Sequence, residues 1–177
     1  MKEWVEALKE YKVLLGEPEK EELKRISYDS RKAEAGDLFL CMKGSKLDSH
    51  DKIPELLEKG VRLFVVEKEL EDLPAELGKT EGLSVIKVEN ARAALARLSA
   101  CYFHYPAKEM LMIGITGTKG KTTTASMVRS ILEEGGYRTG LIGTTGIDYA
   151  GIHEESRNTT PESYTCLLYT SDAADDL

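Results

Sequence analysis

The chain has 177 residues, of which 41% are hydrophobic and 31% are charged, and its formal net charge is −7. This composition is typical of a water-soluble globular protein, and the length allows one complete domain plus part of a second. The acidic balance argues against a general nucleic-acid-binding protein. No apolar run is long enough to cross a bilayer and the N-terminus has no signal-peptide core, so we expect a cytoplasmic protein without a membrane partner.

Alternating strands and helices are predicted in the first hundred residues. A short helix is predicted around Trp4–Tyr11, a second helix is predicted to end at Gly60, and Asn90 is predicted to cap a third. Compact apolar runs predict strands at 26–28, 38–42, 61–66 and 83–88. Strands that alternate with helices predict a parallel sheet in an α/β fold.

A new section begins near Pro106. A buried strand is predicted over Leu111–Thr116 and a further strand over Thr139–Thr144. Between them a helix is predicted over Lys121–Glu134, with four apolar side chains facing inward: Met127, Val128, Ile131 and Leu132. We therefore predict two domains, 1–107 and 108–177. The second has too few elements to bury a core by itself and is interpreted as the incomplete start of a larger domain.

The turn between the predicted strand and helix of the second section carries the most informative motif, Thr116-Gly117-Thr118-Lys119-Gly120-Lys121-Thr122-Thr123-Thr124. Gly117 and Gly120 allow backbone N–H groups to converge on an anion, and the helix start contributes further free N–H groups. Lys121 can neutralise the β- and γ-phosphates of a nucleotide, and the hydroxyl of Thr122 is placed to ligate Mg²⁺. Ile115 stands where the strict Walker pattern has glycine, and an ordinary strand-to-helix turn is the competing interpretation.

This motif resembles the ATP loop of the Mur ligases and of their folylpolyglutamate synthase relatives. Lys119 stands where that family commonly has asparagine. Two further segments resemble the Mur ligases that carry out the later additions to the cell-wall peptide. The first segment is Tyr28-Asp29-Ser30-Arg31, continued by Gly36-Asp37-Leu38-Phe39-Leu40 and Lys43-Gly44. The second segment is Asn158-Thr159-Thr160-Pro161. Asn158-Thr159-Thr160-Pro161 resembles the substrate-contacting motif of the Mur ligases that add the third amino acid.

The resemblance implies a small N-terminal UDP-binding α/β domain followed by the incomplete start of a P-loop ATPase-type central domain. It implies ATP and Mg²⁺ as cofactors, and a UDP-N-acetylmuramoyl dipeptide and an amino acid as partners of a monomer. ATP would be held by Gly117, Thr118, Lys119, Gly120, Lys121, Thr122 and Thr123. Lys121 would be catalytic, and Thr122 would be a ligand of the metal ion. The muramoyl substrate would be held by Ser30, Ser45, Lys46, Leu47, Asn158, Thr159 and Thr160.

Several alternatives stay open at this point. Asp29-Ser30 is also a common turn pair, and Asn158-Thr159-Thr160-Pro161 alone indicates only a loop. The chain could be a P-loop kinase or GTPase, another Mur-type amide ligase, or a non-catalytic module that binds nucleotides or UDP-sugars. The added amino acid, meso-diaminopimelate or L-lysine, is left open because the residues that select it would follow the present sequence.

The final segment departs from the family pattern. An amphipathic helix is expected after Tyr164, but residues 165–177 lack that character and are interpreted as a truncated or chimeric reading frame. Because the later metal ligand, the modified lysine and the C-terminal domain of the family would follow, we expect the chain by itself to be catalytically inactive.

Overall fold

The protein is described by a computed structural model, which covers residues 3–44, 47–149, 151–155 and 161–175. It divides into two compact units, Met1–Cys101 and Tyr102–Leu177. Within the described residues, no helix combines the length and apolar character needed to cross a membrane. The two units are described in turn.

The first unit is built on a five-stranded sheet in the order β1-β5-β4-β3-β2. Strands β2 to β5 are parallel, as the alternation of elements predicted, and β1 runs antiparallel to β5. The edge strand β1 lies outside the segments predicted to be strands. The strands are β1 (Lys12–Leu15), β2 (Arg25–Ser27), β3 (Asp37–Leu40), β4 (Leu63–Val66) and β5 (Ser84–Lys87). The helices are α1 (Glu3–Ala7), α2 (Ile53–Glu58) and α3 (Ala91–Tyr102), and short 3-10 turns cover Pro18–Lys20, Ser49–Lys52, Leu70–Asp72 and Leu77–Lys79.

Both faces of the central strands are covered, since every residue of β3 and β4 is buried. On one face, Phe39 and Phe64 meet edge to face with ring centroids 6.5 Å apart and pack in one cluster with the apolar side of α2. Side chains alternate along a strand, so Leu38 and Leu40 point to the opposite face. Helix α3 begins at the predicted cap Asn90, whose Oδ1 accepts from Ala93 N, and it has a buried apolar side, as has the short helix α1.

The second unit opens with a segment that differs from the prediction. Residues 111–116 do not form a strand, and the side chains of Leu111, Met112 and Ile113 are exposed. A strand requires a hydrogen-bonded neighbour, and no described strand of this unit pairs with this segment. The predicted buried strand is therefore wrong for the described residues, although the segment has an apolar composition.

The following helix, α4 (Lys121–Glu134), matches its predicted bounds and has no buried residue. The predicted inward face is therefore wrong as stated, because Met127 is 62% exposed and Ile131 is 71% exposed, while Val128 and Leu132 are partly buried. A 3-10 turn at Pro106–Lys108 precedes this part of the chain.

A three-stranded antiparallel sheet follows α4, in the order β6-β7-β8. The predicted strand at Thr139–Thr144 is present as β6 (Leu141–Gly143), but it pairs with β7 (Gly146–Tyr149) and not with a parallel strand. Strand β8 (Ile152–Glu154) completes the sheet. Alternating strands and helices predict parallel pairing, but this sheet is antiparallel, because a tight turn joins β6 to β7 where a parallel connection would need a crossover.

The end of the described chain is a helix, α5 (Ser163–Asp175), in the segment that we interpreted as lacking the amphipathic character of the family's helix. Its aromatic side chains account for the difference. The Tyr169 hydroxyl donates to Glu154 Oε2 at 2.5 Å, and its ring lies 5.1 Å from that of Tyr149. Tyr164 packs against Phe103 with ring centroids 5.2 Å apart. Tertiary contacts with β7, β8 and residue 103 thus accompany a helix that amphipathic periodicity did not predict.

A buried polar cluster fixes the loop after β3 to the end of β4. His50 is 1% exposed; its Nε2 accepts the backbone N–H of Glu67 at 3.0 Å, so its proton lies on Nδ1 and is donated to Asp48 Oδ1. The Lys68 ammonium lies 2.9 Å from the other oxygen of Asp48. Burial acts to raise the pKa of the Asp48 carboxyl, but the hydrogen bonds from Lys68 and His50 outweigh it and hold that pKa well below its ordinary value.

We expect Asp48→Asn to lower the free energy of unfolding at pH 7 by about 2 kcal/mol, because a neutral amide replaces the charged acceptor of these hydrogen bonds. Since the folded-state pKa of Asp48 is depressed, its contribution is present above the unfolded pKa of about 4 and is lost as the pH falls below that value. The variant should therefore lose less stability on acidification than the wild type. Urea unfolding followed by the fluorescence of Trp4, the single tryptophan and a buried residue of the first unit, measures this difference.

Asp51→Asn is the matched control, because Asp51 is exposed on the same 3-10 turn and the substitution changes the charge equally. Equal losses of stability in the two variants would show that net charge, and not the Asp48 contacts, is responsible.

Candidate functional site

The turn before α4 has two glycines with positive φ and leads directly into the free N–H groups of the helix start. Gly117 has φ +154° and Gly120 has φ +79°, both in the region that favours glycine, and Gly120 is the residue that caps α4. The first helical hydrogen bond runs from Thr124 N to Gly120 O at 2.9 Å. The N–H groups of residues 121–123 precede it and have no acceptor within the helix. Residues 117–120, 122 and 123 are exposed and Lys121 is partly buried, so the turn lies at the surface.

The Lys121 side chain closes back over this turn. Its Nζ donates to the carbonyl oxygen of Gly117 at 2.6 Å, which holds the ammonium across the loop. A cation in this position lies beside the free N–H groups and adds to the positive end of the helix dipole. The loop therefore concentrates positive potential in a protein whose net charge is −7. This arrangement suits a polyphosphate.

The Thr122 hydroxyl lies beside a residue that the sequence analysis did not select. Thr122 Oγ1 is 3.2 Å from Thr144 Oγ1, at the end of β6. Both side chains are exposed. Hydroxyl oxygens are ligands that Mg²⁺ accepts, so the donor chemistry of this corner fits a hard divalent cation. No sequence pattern singled out Thr144, because its proximity depends on how β6 packs against α4.

The predicted ATP residues of the second unit are thus brought together, from Gly117 to Thr123 on one turn and the first turn of α4. Lys119 is exposed in that turn, and Thr123 also borders a shallow depression along the exposed face of α4. The depression does not include the glycine turn. Among the residues that the structure describes, no group of three or more His, Cys, Asp or Glu side chains could hold a metal ion.

The predicted substrate residues of the first unit follow two neighbouring strands. Ser30 comes after β2, and Leu47 comes after β3. These strands are parallel partners, with Ser27 opposite Phe39, so the segments that leave their carboxyl ends emerge at the same edge of the sheet. That edge is where ligands bind in open α/β sheets.

Main-chain and side-chain contacts fix the Ser30 turn. The Arg31 guanidinium donates to both carboxylate oxygens of Asp29, at 2.8 and 2.7 Å. These hydrogen bonds lower the pKa of Asp29 to about 2, against a smaller opposing effect of burial. The carbonyl of Ser30 accepts from Lys59 Nζ at 2.7 Å. The turn is therefore held from both sides, with Ser30 between the paired Asp29 and Arg31.

The base of the loop after β3 is fixed as well. Gly44 N donates to Leu47 O at 2.8 Å, and Asp48 anchors the next position through His50 and Lys68. Leu47 itself is 57% exposed. The remaining predicted substrate residues lie outside the described residues: Ser45, Lys46, Asn158, Thr159 and Thr160.

Comparison with known sequences gives two matches to family models. The model described as "Mur ligase family, catalytic domain" matches residues 22–103, and the one described as "Mur ligase middle domain" matches residues 115–176. The second match includes the segment 165–176, which we interpreted as departing from the family pattern.

Curated relatives are similar over most of this chain. UDP-N-acetylmuramoyl-L-alanyl-D-glutamate–2,6-diaminopimelate ligase of Clostridium botulinum is 42% identical over 89% of this chain and 32% of its own length. The ligase of the same name from Clostridium perfringens is 42% identical over 88% of this chain and 30% of its own length. The chain therefore spans about a third of the length of these relatives.

A solved structure shares the fold. That structure, also of a UDP-N-acetylmuramoyl-L-alanyl-D-glutamate–2,6-diaminopimelate ligase, aligns with a TM-score of 0.60 and 20% identity, covering 87% of this chain and 30% of the other. The two family models describe parts of one enzyme family and together span most of the sequence. The chain belongs to the Mur ligase family.

Proposed function

We propose that this chain is the UDP-substrate-binding and ATP-binding part of a ligase that adds 2,6-diaminopimelate to UDP-N-acetylmuramoyl-L-alanyl-D-glutamate. The loop at the start of α4 carries the proposal, because it joins free helix N–H groups to the Lys121 ammonium. The names of the relatives that are 42% identical favour diaminopimelate over L-lysine. We propose domain bounds of 1–107 and 108–177.

The proposed reaction joins a carboxylate to an amine in two steps. The substrate carboxylate attacks the γ-phosphorus of ATP, the bond to the β–γ bridging oxygen breaks, and ADP leaves. The amine of the incoming amino acid then attacks the acyl carbon, phosphate departs with the electron pair of the broken C–O bond, and the amine loses a proton. An amide, ADP and phosphate are the products.

The electrostatic demand of the first step explains the residues at the loop. A carboxylate must approach a polyphosphate that is itself anionic, so the enzyme must offset their repulsion. The N–H groups at the start of α4 bind phosphate oxygens, and the Lys121 ammonium neutralises charge on the β- and γ-phosphates. Gly117 and Gly120 allow the backbone to approach. Thr118, Lys119 and Thr123 complete the loop, and Thr122 would hold Mg²⁺, which screens the phosphate charge when bound.

The proposed muramoyl substrate site uses the sheet edge of the first unit. Ser30 would contact the uridine diphosphate, as would the loop that contains Ser45, Lys46 and Leu47. The fixed turn at Asp29–Arg31 and the anchored base of the second loop support this proposal, since a preorganised site loses little entropy on binding. Asn158, Thr159 and Thr160 are proposed to contact the muramoyl moiety.

We expect Lys121→Ala to weaken the binding of ATP in the presence of Mg²⁺ by roughly 10- to 100-fold, because it removes a charged donor to phosphate. Isothermal titration calorimetry on the 177-residue chain measures this affinity. Arg138→Ala is the control: Arg138 is exposed beyond the opposite end of α4, and its loss changes the net charge equally. Equal ATP affinity in Lys121→Ala and wild type, or no ATP binding by the wild type, contradicts the proposal.

We expect Ser30→Ala to weaken the binding of UDP-N-acetylmuramoyl-L-alanyl-D-glutamate by roughly 5- to 10-fold, because one hydrogen bond to the substrate is lost. Its ATP affinity should not change. Thr80→Ala is the control, since Thr80, like Ser30, is a partly buried hydroxyl residue of the same unit, and its hydroxyl donates to Glu76 O. Unaltered affinity of Ser30→Ala for the muramoyl dipeptide would remove Ser30 from the proposed site.

The same titrations separate the alternatives. A P-loop kinase or GTPase would bind a nucleotide without affinity for the muramoyl dipeptide. A module that binds only UDP-sugars would bind the muramoyl dipeptide without ATP. Binding of both ligands by one chain is the result expected for the ligase.

A further inference from the structure

The hairpin turn after β6 brings a hydroxyl group to the proposed metal-binding corner. Gly143 and Gly146 are register partners across this turn, so Thr144 and Thr145 form its two-residue tip. Thr144 Oγ1 lies 3.2 Å from Thr122 Oγ1, although the two residues are 22 apart in the chain. It is the one hydrogen bond that the described contacts give the Thr122 hydroxyl.

Contacts on both sides of the turn hold this hairpin against α4. The Arg129 guanidinium of α4 lies 3.3 Å from Asp148 Oδ2 of β7, and β6 itself contacts α4. Gly146 has φ +132°, and a Cβ there would lie 2.5 Å from His153 Cε1 and 2.7 Å from Glu154 O. The strands can therefore close at this point only around a glycine. The backbone of Thr144 is therefore placed by the hairpin and by its packing on α4.

We propose that Thr144 is a positioning residue for Thr122 in the binding of a divalent cation with the nucleotide. The proposal rests on the proposed function of the loop. A hydroxyl has one proton and two lone pairs, and a cation bound to its oxygen repels the proton. With a cation bound, the Thr122 hydroxyl would donate its hydrogen bond to Thr144 Oγ1, and a lone pair of Thr122 Oγ1 would face the cation. Partners of this kind change metal affinity by about 10- to 100-fold.

Three variants of the full 177-residue chain test the proposal. Thr144→Val keeps the branched shape and removes the hydroxyl. Thr144→Ser keeps the hydroxyl and removes a methyl group. Thr145→Val is the matched control on the other residue of the turn, which is exposed. For each chain, calorimetry gives the affinity for ATP with Mg²⁺ and with EDTA, and the ratio of the two is the gain that depends on Mg²⁺.

The Mg²⁺-dependent gain in affinity should be about 10-fold smaller in Thr144→Val than in the wild type. The affinity of this variant for ATP in EDTA should equal that of the wild type. Thr144→Ser and Thr145→Val should retain the wild-type gain. An unchanged gain in Thr144→Val overturns the proposal, and so does an equal loss with and without Mg²⁺, which indicates a structural role only. If the wild type does not bind ATP in either condition, the proposed function fails and this inference fails with it. If the wild type binds ATP and Thr144→Val has the same Mg²⁺-dependent gain as the wild type, the positioning role is refuted and the proposed function is not.

Discussion

The parallel pairing of β2 with β3 decides where the proposed substrate residues of the first unit lie. Arg25 and Asp37 are register partners in this pair, and the guanidinium donates to both carboxylate oxygens, at 2.9 and 2.7 Å. Asp37 Oδ2 also accepts from Glu34 N, and Arg25 donates to Lys32 O. One ion pair thus joins the two strands and also holds the segment that returns from the Ser30 turn. Because the two strands are parallel, both loops leave the sheet at a common edge.

The proposed nucleotide site of the second unit depends on contacts that are local in the chain, whereas the proposed site of the first unit depends on strand pairing. It has almost no buried core around α4, yet the turn before this helix has a defined geometry. Two glycines with positive φ, the free N–H groups of the helix start and the Lys121–Gly117 contact are all local in sequence. Anion binding of this kind needs no deep cavity, because backbone N–H groups and a helix dipole supply the attraction.

Local charge and overall charge have opposite signs in this protein. The chain carries a net charge of −7, and its proposed ligands, ATP and a UDP-linked peptide, are anions. Binding therefore depends on positive potential confined to short segments. Lys121 provides it at the nucleotide loop. Lys59, whose ammonium donates to Ser30 O, provides it at the sheet edge. Screening by salt limits such effects to about 10 Å, so distant acidic residues matter less than these neighbours.

The sequence by itself determined the parallel α/β character of the first unit, the bounds of α4 and the glycine-rich loop with Lys121 and Thr122, because each depends on local periodicity or on residues adjacent in the chain. Tertiary structure decided what depends on distant partners. Residues 111–116 have the composition of a strand but no neighbouring strand to pair with among the described residues, while α5 lacks clear periodicity and is held by Tyr164 and Tyr169. The contact of Thr144 with Thr122 belongs to the same class, since only the packing of β6 on α4 brings these two hydroxyls together.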